Sequence, residues 1–151
     1  VLRSGNLRLY EESLSRYQLM CVFCEIIKGN IPSRKVYEDD EILAILDIAQ
    51  TTKGHTLVMP KKHYTDIYEA DPEILKKLIV KVQELGKMIC ENLGAQGSNI
   101  LVNTDEVAGQ SVHHLHFHII PRYSKDDSIK IEFTENSLDL DEVLSQIKGG
   151  K

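Results

Sequence analysis

One apolar stripe in the middle of the chain constrains the fold more than any other feature. Its members recur at steps of three and four residues, the spacing of one face of an α-helix: Ile74, Leu75, Leu78, Ile79, Val82, Leu85, Met88 and Ile89. Asp71 followed by Pro72 is typical of a helix start, because the carboxylate caps free N–H groups and proline suits the first helical position. Gly94 is the expected end. The stripe therefore predicts one long helix that packs on another layer with a single face.

Segments with the composition of strands lie on both sides of this helix. Three precede it and two follow it: Lys35–Tyr37, Ile42–Leu46, Thr56–Met59, Ser98–Val102 and His113–Ile120. Short helices are predicted at Val22–Lys28 and Asp141–Ile147. Strands, one long helix and then more strands form the order expected of an α+β fold, in which the helix covers one face of an antiparallel sheet.

Length and composition are those of an ordinary soluble protein of one domain. With 151 residues, 42% of them hydrophobic, the chain can bury a core. Its formal net charge of −5 gives no reason to expect nucleic acid or a membrane surface as a partner. No apolar run approaches the roughly 20 residues that span a bilayer. The first residues lack the continuous apolar centre of a secretory signal, so we expect a cytoplasmic location.

The beginning of the chain differs from the rest. Residues 1–19 are weakly patterned, whereas a dense pattern of apolar and polar residues follows Met20. We therefore expect residues 1–19 to be an N-terminal extension of uncertain origin. Residues 20–151 are expected to form the domain, with a C-terminal tail beyond Tyr123 that carries no recognisable motif.

The cysteines have no single interpretation. Three, an odd number, argue against a disulfide framework, and Cys90 within the long helix is expected to serve packing. Cys21 and Cys24 form a Cys-x-x-Cys pair. Such a pair occurs as partly buried thiols, as a redox couple or in a metal site, and the redox interpretation is disfavoured without a thioredoxin-like βαβ pattern.

Four of the six histidines stand in the predicted strand His113–Ile120. Because alternate residues of a strand share a face, three of the imidazoles form a row: His114, His116 and His118. His113 faces the other way with apolar residues, so we assign it no catalytic part. Folding does not require three aligned imidazoles. They suit either a zinc site or nucleophilic attack on phosphorus, and the pattern alone leaves both open.

The stretch Gly109-Gln110-Ser111 leads directly into this strand. Glycine lets the backbone approach a ligand closely, and Ser111 offers a hydroxyl and an N–H to an anionic oxygen. Beside three imidazoles, the stretch suggests a cradle for a phosphate group.

Further motifs accompany this stretch in a fixed order: FCEIIKGNIP at Phe23–Pro32, VYEDD at Val36–Asp40, ILDI at Ile45–Ile48 and KGHTLVMPKKH at Lys53–His63. With Gly109-Gln110-Ser111-Val112 and His114-x-His116-x-His118, they resemble the histidine triad (HIT) superfamily over about Cys21–Arg122. The resemblance implies an α+β fold with the long helix on an antiparallel sheet. It also implies a homodimer in which the two sheets join across the interface.

For function, the resemblance implies hydrolysis or transfer of nucleoside monophosphate groups, with no cofactor required for catalysis. His116 resembles the nucleophile, which attacks the α-phosphorus and forms a nucleotidyl-imidazole intermediate. His114 resembles the residue whose backbone carbonyl fixes the ring of His116, and His55 resembles a buried histidine that supports the row. Contacts to the phosphate or the leaving group are implied at Asn103, Gly109, Gln110, Ser111 and His118.

The resemblance also implies residues for the nucleoside and for a metal ion. Asp47 resembles the carboxylate that accepts both ribose hydroxyls, and the base pocket is implied at Phe23, Ile26, Ile45 and Ile48. Many microbial HIT proteins pair two cysteines with two histidines, which here are Cys21, Cys24, His63 and His114. Two thiolates and two imidazoles complete a tetrahedral zinc set that is structural rather than catalytic.

Three functions remain compatible with these motifs. The favoured one is hydrolysis of the P–N bond in purine nucleoside phosphoramidates, as in the Hint branch, towards which the short body with KGHTLVMPKKH leans. The Fhit branch cleaves P–O bonds of dinucleoside polyphosphates, and Pro121-Arg122 after the triad looks Fhit-like or typical of microbial HIT proteins in general. The third is a non-catalytic zinc protein that binds a nucleotide.

Overall fold

The computed structural model describes residues 21–150, in which five strands form one antiparallel sheet. The strands are β1 (Lys35–Glu38), β2 (Ile42–Leu46), β3 (Thr56–Pro60), β4 (Gly97–Val102) and β5 (Phe117–Arg122). Their order across the sheet is β1-β2-β3-β5-β4, and every neighbouring pair is antiparallel. The helices are α1 (Val22–Ile27), α2 (Pro72–Leu93) and α3 (Leu140–Ile147), with a 3-10 turn at Glu106–Ala108. The α+β prediction is confirmed.

The long helix α2 begins and ends where the sequence predicts. Oδ1 of Asp71 accepts a hydrogen bond from the Glu73 N–H at 2.9 Å, and Pro72 occupies the first turn. Gly94 takes a left-handed backbone with φ +72°, a conformation that glycine adopts without steric cost.

The apolar stripe of α2 packs on one face of the sheet. Leu78, Val82 and Leu85 are at most 5% exposed, and they share a core with Val58 of β3 and Ile119 of β5. At about 1.5–3 kcal/mol for each fully buried aliphatic side chain, this contact is a principal stabiliser of the domain.

The opposite face of the sheet is covered by a second, smaller layer that the α2 stripe did not predict. Phe23 and Ile26 of α1 pack there on Leu43, Leu57 and Met59. Because both faces are covered, all five residues of β3 are buried. A short amphipathic helix of six residues is too brief for its sequence pattern to show which layer it joins.

The last strand is shorter than predicted, and this part of the prediction is wrong. β5 begins at Phe117, so the segment His113–His116 precedes it instead of belonging to it. The physical reason is that backbone groups there bond outside the ladder: the Leu115 N–H donates to the Tyr64 carbonyl at 2.7 Å, and the His114 carbonyl accepts from the ring of His116. The predicted apolar face holds for Leu115, Phe117 and Ile119, which are buried in the core with α2. It does not hold for His113, which is exposed instead of lying with them, because it precedes the strand.

The C-terminal tail contains the predicted last helix, α3, which begins one residue early and is capped by Asp139. From residue 130 to residue 150, every residue is exposed except the half-buried Val143. Among residues 21–150, no helix has the length and apolar character needed to cross a membrane. The predicted extension, residues 1–19, lies outside the described residues.

Candidate active site

His116 lies just before β5, and one of its ring nitrogens is hydrogen-bonded within the described residues whereas the other is not. Its Nδ1 is 2.7 Å from the backbone carbonyl oxygen of His114. A carbonyl only accepts, so the proton of the neutral ring is on Nδ1 and the lone pair is on Nε2. The residue is 9% exposed, and its ring packs nearly perpendicular to the Phe23 ring with centroids 5.0 Å apart. The ring is therefore oriented from two sides.

Burial keeps the imidazoles of the row neutral near pH 7. Desolvation lowers the pKa of His116, and the carbonyl of His114 partly opposes that shift. Desolvation, together with the neighbouring His116 and His55, lowers the pKa of His118 to about 4. A neutral ring with a free nitrogen can act as a nucleophile, whereas a protonated ring cannot.

His118 is held by a chain of hydrogen bonds that starts at the backbone. The Thr51 N–H donates to Nδ1 of His55 at 3.3 Å, which leaves the proton of His55 on Nε2. That nitrogen lies 2.9 Å from Nδ1 of His118 and donates to it. The neutral His118 then carries its own proton on Nε2, where it can donate to an anionic oxygen. Its ring lies beside that of His116, with centroids 4.9 Å apart.

Asp47 stands at the same place, at the end of β2. Its Oδ2 is 3.6 Å from Nε2 of His55, and its Oδ1 accepts the Ala49 N–H at 2.9 Å. Its side chain is 24% exposed, so a ligand can still reach it. Asp47, His55 and His118 have ligand atoms close enough for a metal ion. However, the 2.9 Å separation of the two imidazole nitrogens is that of a hydrogen bond.

The predicted phosphate loop is shaped from within by Gln110. This side chain is buried, its Nε2 donates to the Thr65 carbonyl at 2.7 Å, and its Oε1 accepts the Asp105 N–H at 2.8 Å. Gly109 has φ +96°, and a Cβ there would lie 3.5 Å from Nδ2 of Asn103, so the two predicted contact residues are neighbours. Ser111 is exposed. Gln110 holds the loop, and its direct contact with phosphate stays a prediction.

Three of the four residues predicted for the base pocket lie together. Phe23, Ile26 and Ile45 are buried in one apolar cluster behind the triad. Ile48 is 93% exposed and is not part of that cluster, because the chain turns outward directly after Asp47. Its place in the pocket stays a prediction that the fold of one chain does not support.

The four predicted metal ligands converge on one point. Nδ1 of His114 is 3.4 Å from Sγ of Cys21 and 3.5 Å from Sγ of Cys24. Nδ1 of His63 is 3.3 Å from Sγ of Cys24 and 3.2 Å from Nδ1 of His114. In a tetrahedral zinc site, N–N edges of roughly 3.4 Å and N–S edges of roughly 3.6 Å follow from normal bond lengths. The donor set therefore fits zinc in both chemistry and spacing.

His114 belongs to both sites. Its Nε2 donates to the Pro60 carbonyl at 2.8 Å, which leaves the lone pair on Nδ1 for a metal ion. Its own backbone carbonyl orients the ring of His116. The side chain is fully buried, and desolvation is the first cause that lowers its pKa to about 4. Any force that moves this residue also moves the nucleophile.

Sequence patterns missed the groups that set these tautomers. They are the backbone N–H of Thr51 and the carbonyl of Pro60, together with the loop contacts of Gln110 at Asp105 and Thr65. Every residue carries a backbone N–H or carbonyl of this kind, proline lacking only the N–H, so no residue type signals their part in a site.

Comparison with known proteins places this site in a family. The family model for the HIT domain matches residues 28–125, which include Asp47, the stretch Gly109-Gln110-Ser111 and all three imidazoles. This chain belongs to the HIT family.

Other HIT proteins are similar over most of the chain. An uncharacterised HIT-like protein of Methanocaldococcus jannaschii is 50% identical over 131 residues, which are 86% of this chain and 100% of that protein. An adenylylsulfatase of Arabidopsis thaliana is 40% identical over 88% of this chain and 68% of its own length. An adenosine 5'-monophosphoramidase of Schizosaccharomyces pombe is 36% identical over 83% of this chain and 91% of its own.

Solved HIT structures share the fold. A HIT family protein of Bacillus subtilis superposes with a TM-score of 0.81 at 44% identity, covering 86% of this chain and 96% of that one. A zinc-bound histidine triad protein of Mycobacterium smegmatis superposes with a TM-score of 0.69 at 36% identity, covering 87% and 97%. The predicted family and fold class are thereby confirmed.

Proposed function

We propose that this HIT protein is a nucleotide hydrolase that releases a nucleoside monophosphate through a covalent intermediate on His116. The observation that carries the proposal is the state of that ring. Nδ1 is tied to the His114 carbonyl at 2.7 Å, and burial lowers the pKa, so Nε2 has an available lone pair near pH 7. An imidazole prepared in this way is a nucleophile that needs no separate base.

The chemistry has two displacements at one phosphorus. In the first, Nε2 of His116 forms a bond to the α-phosphorus while the bond from phosphorus to the leaving group breaks. The leaving group takes a proton that water supplies. In the second, a water oxygen bonds to phosphorus, the P–Nε2 bond breaks and a proton returns to solvent. The Nε2–H of His118 is the donor for the phosphoryl oxygens, on which negative charge grows in both steps.

The substrate side of the proposal is a purine nucleotide with an amine on its α-phosphorus. The base would lie near Phe23, Ile26 and Ile45, and the ribose hydroxyls on Asp47. Relatives named adenosine 5'-monophosphoramidase and adenylylsulfatase support adenylyl substrates.

Arg122 of the Pro121-Arg122 motif, which leaned towards dinucleoside polyphosphates, is hydrogen-bonded within the protein. Nε of Arg122 donates to Asp127 at 2.9 Å, and Nη1 donates to Asn99 at 2.7 Å. A guanidinium committed to two partners at the end of β5 supports the tail and the sheet. This structural role of Arg122 weakens the support that the motif gave to the Fhit-like alternative.

The test compares adenosine 5'-phosphoramidate with diadenosine tetraphosphate, with release of AMP as the measurement. We expect faster release from the phosphoramidate. His116→Ala should lower kcat by about a thousandfold or more, because the covalent step is lost. His113→Ala is the matched control, since it removes an exposed imidazole outside the row, and it should keep the wild-type rate.

Each other outcome points to one alternative. Faster cleavage of the tetraphosphate favours the Fhit-like function. Binding of AMP without release from either substrate favours a nucleotide-binding zinc protein. A fully active His116→Ala enzyme would refute the assignment of the nucleophile.

We further propose that Cys21, Cys24, His63 and His114 hold a structural zinc ion. The zinc-bound relative from Mycobacterium smegmatis supports this, as does the spacing of the four donor atoms. Burial and the adjacent Cys21 sulfur raise the pKa of the Cys24 thiol to about 11. The positive charge of a bound zinc ion would lower the pKa of both thiols and so stabilise the thiolates. Zinc has no step in the reaction.

A homodimer is the proposed assembly. β4 lies at the edge of the sheet, and its outer backbone groups are available to another strand. Ile79 and Val80 of α2 and Ile100 of β4 are each at least 42% exposed, and they form one apolar surface with Ser98. A second copy that adds its own β4 antiparallel to this edge would cover that surface and extend the sheet.

A further inference from the structure

The loop between β2 and β3 carries two residues of the proposed site and contains no helix or strand. Asp47 stands at its beginning and His55 at its end. Gln50 stands between them and is exposed. An exposed glutamine ordinarily bonds to water, so its contacts with the protein need a reason.

The amide of Gln50 bonds to three backbone groups of this loop. Nε2 donates to the carbonyl oxygen of Asp47 at 2.6 Å and to that of His55 at 2.8 Å. Oε1 accepts the Gly54 N–H at 2.8 Å. Both donors and the acceptor of one side chain are therefore used to join the two ends of the loop.

Those two ends are the parts of the loop that act in the site. The Asp47 N–H donates to the His55 carbonyl at 3.0 Å, so Gln50 reinforces a bridge that closes the loop. The closed loop presents the Thr51 N–H to Nδ1 of His55, which sets the tautomer that donates to His118. The exposed amide of Gln50 thus helps to position both Asp47, the proposed ribose ligand, and the hydrogen-bonded pair of His55 and His118.

We propose that Gln50 is a positioning residue that orients Asp47 and His55 together. It touches neither substrate nor reacting atoms. Through Asp47 it governs the preference for ribose over deoxyribose, and through His55 it governs the proton on His118. The effect on turnover rests on the proposed function, whereas the effect on the loop and the imidazoles does not.

Other contacts attach the loop to the sheet without involving Gln50. Oγ1 of Thr52 donates to the Pro121 carbonyl at 2.6 Å, and the Tyr123 hydroxyl donates to the Lys53 carbonyl at 2.6 Å. Oγ1 of Thr56 donates to the Gly54 carbonyl at 2.8 Å. Loss of the Gln50 amide should therefore loosen the position of Asp47 and His55 while the loop stays attached and the domain stays folded.

The test is Gln50→Met, which keeps the length of the side chain and removes all three hydrogen bonds. Gln96→Met is the matched control, because Gln96 is an exposed glutamine whose side chain makes no hydrogen bond to the described residues. Full-length protein is assayed with adenosine 5'-phosphoramidate and its 2'-deoxy analogue. We expect Gln50→Met to reduce the ribose preference in kcat/KM about tenfold, the worth of one hydrogen bond to a charged group. Gln96→Met should leave the preference unchanged.

A second measurement does not depend on turnover. NMR of the ring nitrogens reports which nitrogen of His55 and His118 carries the proton, and amide exchange reports protection of the Gly54 N–H. In Gln50→Met we expect mixed tautomers and faster exchange at Gly54. Gln50→Glu keeps the acceptor for Gly54 and loses the donors at pH 7, so it should keep that protection and still lose the ribose preference.

The outcomes separate the two proposals. If the wild-type protein hydrolyses neither nucleotide but Gln50→Met changes the imidazoles and Gly54, the proposed function fails and the positioning role stands. If Gln50→Met keeps the ribose preference and the tautomers, the positioning role is wrong. If both Gln50 variants unfold, the residue serves stability alone, and the proposal is again overturned.

Discussion

His114 makes three separate kinds of contact at this site. Its Nδ1 faces two sulfurs, its Nε2 bonds to Pro60, and its carbonyl orients the ring of His116. Each of the three contacts uses a different atom, so none competes with another. We expect substitution of His114 to be costly, because every other side chain loses Nδ1 beside the two sulfurs, the buried hydrogen bond to Pro60 or both.

Asp105 is the strained residue next to the predicted phosphate loop. Among residues 21–150 it is the one non-glycine residue with positive φ, at φ +70° and ψ 162°. That region suits glycine, and it costs other residues about 1–3 kcal/mol. We expect the free energy of unfolding of Asp105→Gly to exceed that of Asp105→Ala by about 1 kcal/mol, because both variants lose the carboxylate and glycine alone relieves the strain, less its larger chain entropy. Chemical denaturation measures the change.

The control for this prediction is Asp105→Ala. Alanine keeps the Cβ and hence the strain, and it loses the bond between Oδ1 and the Glu106 N–H at 2.7 Å. We therefore expect it to lower stability. If both variants stabilise the protein equally, loss of the carboxylate is the cause and the strain argument is wrong.

The depressed pKa of His118 predicts how stability depends on pH. Burial lowers this pKa to about 4 in the folded state, whereas an unfolded histidine titrates near about 6.5. The unfolded state therefore binds more protons in between, so stability is fully present above pH 6.5 and declines as the pH falls towards 4. Denaturation at pH 7.0, 6.0 and 5.0 measures the slope, largely above the range in which carboxylates titrate. His118→Gln should make that slope shallower, and an unchanged slope would contradict the assignment.

At the scale of elements, α1 depends on its surroundings. A helix of six residues is not stable alone in water. It is held by Phe23 and Ile26, which pack on the sheet, and by the two cysteines at and near its N-terminus. The cysteines face His63, in the segment after β3, and His114, ahead of β5. A metal ion would therefore join three separate segments at one point.

Loss of the proposed zinc ion should destabilise the packing of α1 against the segments that carry His63 and His114. We expect purified protein to contain close to one equivalent of zinc, and Cys24→Ser to contain less than about a tenth, because structural sites rarely keep the ion with three ligands. The melting temperature should fall in parallel. Cys90→Ser is the control, since this cysteine lies on α2 outside the cluster, and it should keep both zinc and stability. A wild-type protein without zinc would exclude the site.

At the scale of the whole molecule, the order of the strands decides which surface is left open. β3 and β5 are central and covered, whereas β4 ends the sheet beside an exposed apolar strip of α2. The C-terminal helix α3 also has exposed apolar side chains, at Leu140, Leu144 and Ile147. Contiguous exposed apolar surface is typical of sites that contact another chain, so the strip beside β4 supports the proposed dimer.

A dimer through β4 predicts a specific change in assembly. We expect sedimentation to show the mass of two chains, and Ile100→Lys to shift the protein towards one chain, because a charge would be buried in the interface. Met88→Lys places the same charge on the other side of α2, beside Val36 and Leu46, and should leave the dimer intact. If Ile100→Lys still forms dimers of wild-type strength, the interface lies elsewhere.

Much of the fold follows from local pattern. The ends of α2 depend on Asp71, Pro72 and Gly94, each of which has a backbone preference that acts without tertiary contacts. β2 appears within its predicted bounds, and the motifs place the chain in its family. The start of β5 does not follow, because the hydrogen bonds that end the ladder at His116 come from Tyr64 and from a histidine ring.

By itself, the sequence determined the α+β class, the long helix, the row of imidazoles and the residue types of a zinc site. These depend on periodicity and on side-chain chemistry, which a linear chain displays. Only the tertiary structure decided that Thr51 sets the tautomer of His55 and that Gln50 ties Asp47 to His55. These facts depend on distances between segments and on backbone groups that every residue possesses, so no residue type announces them.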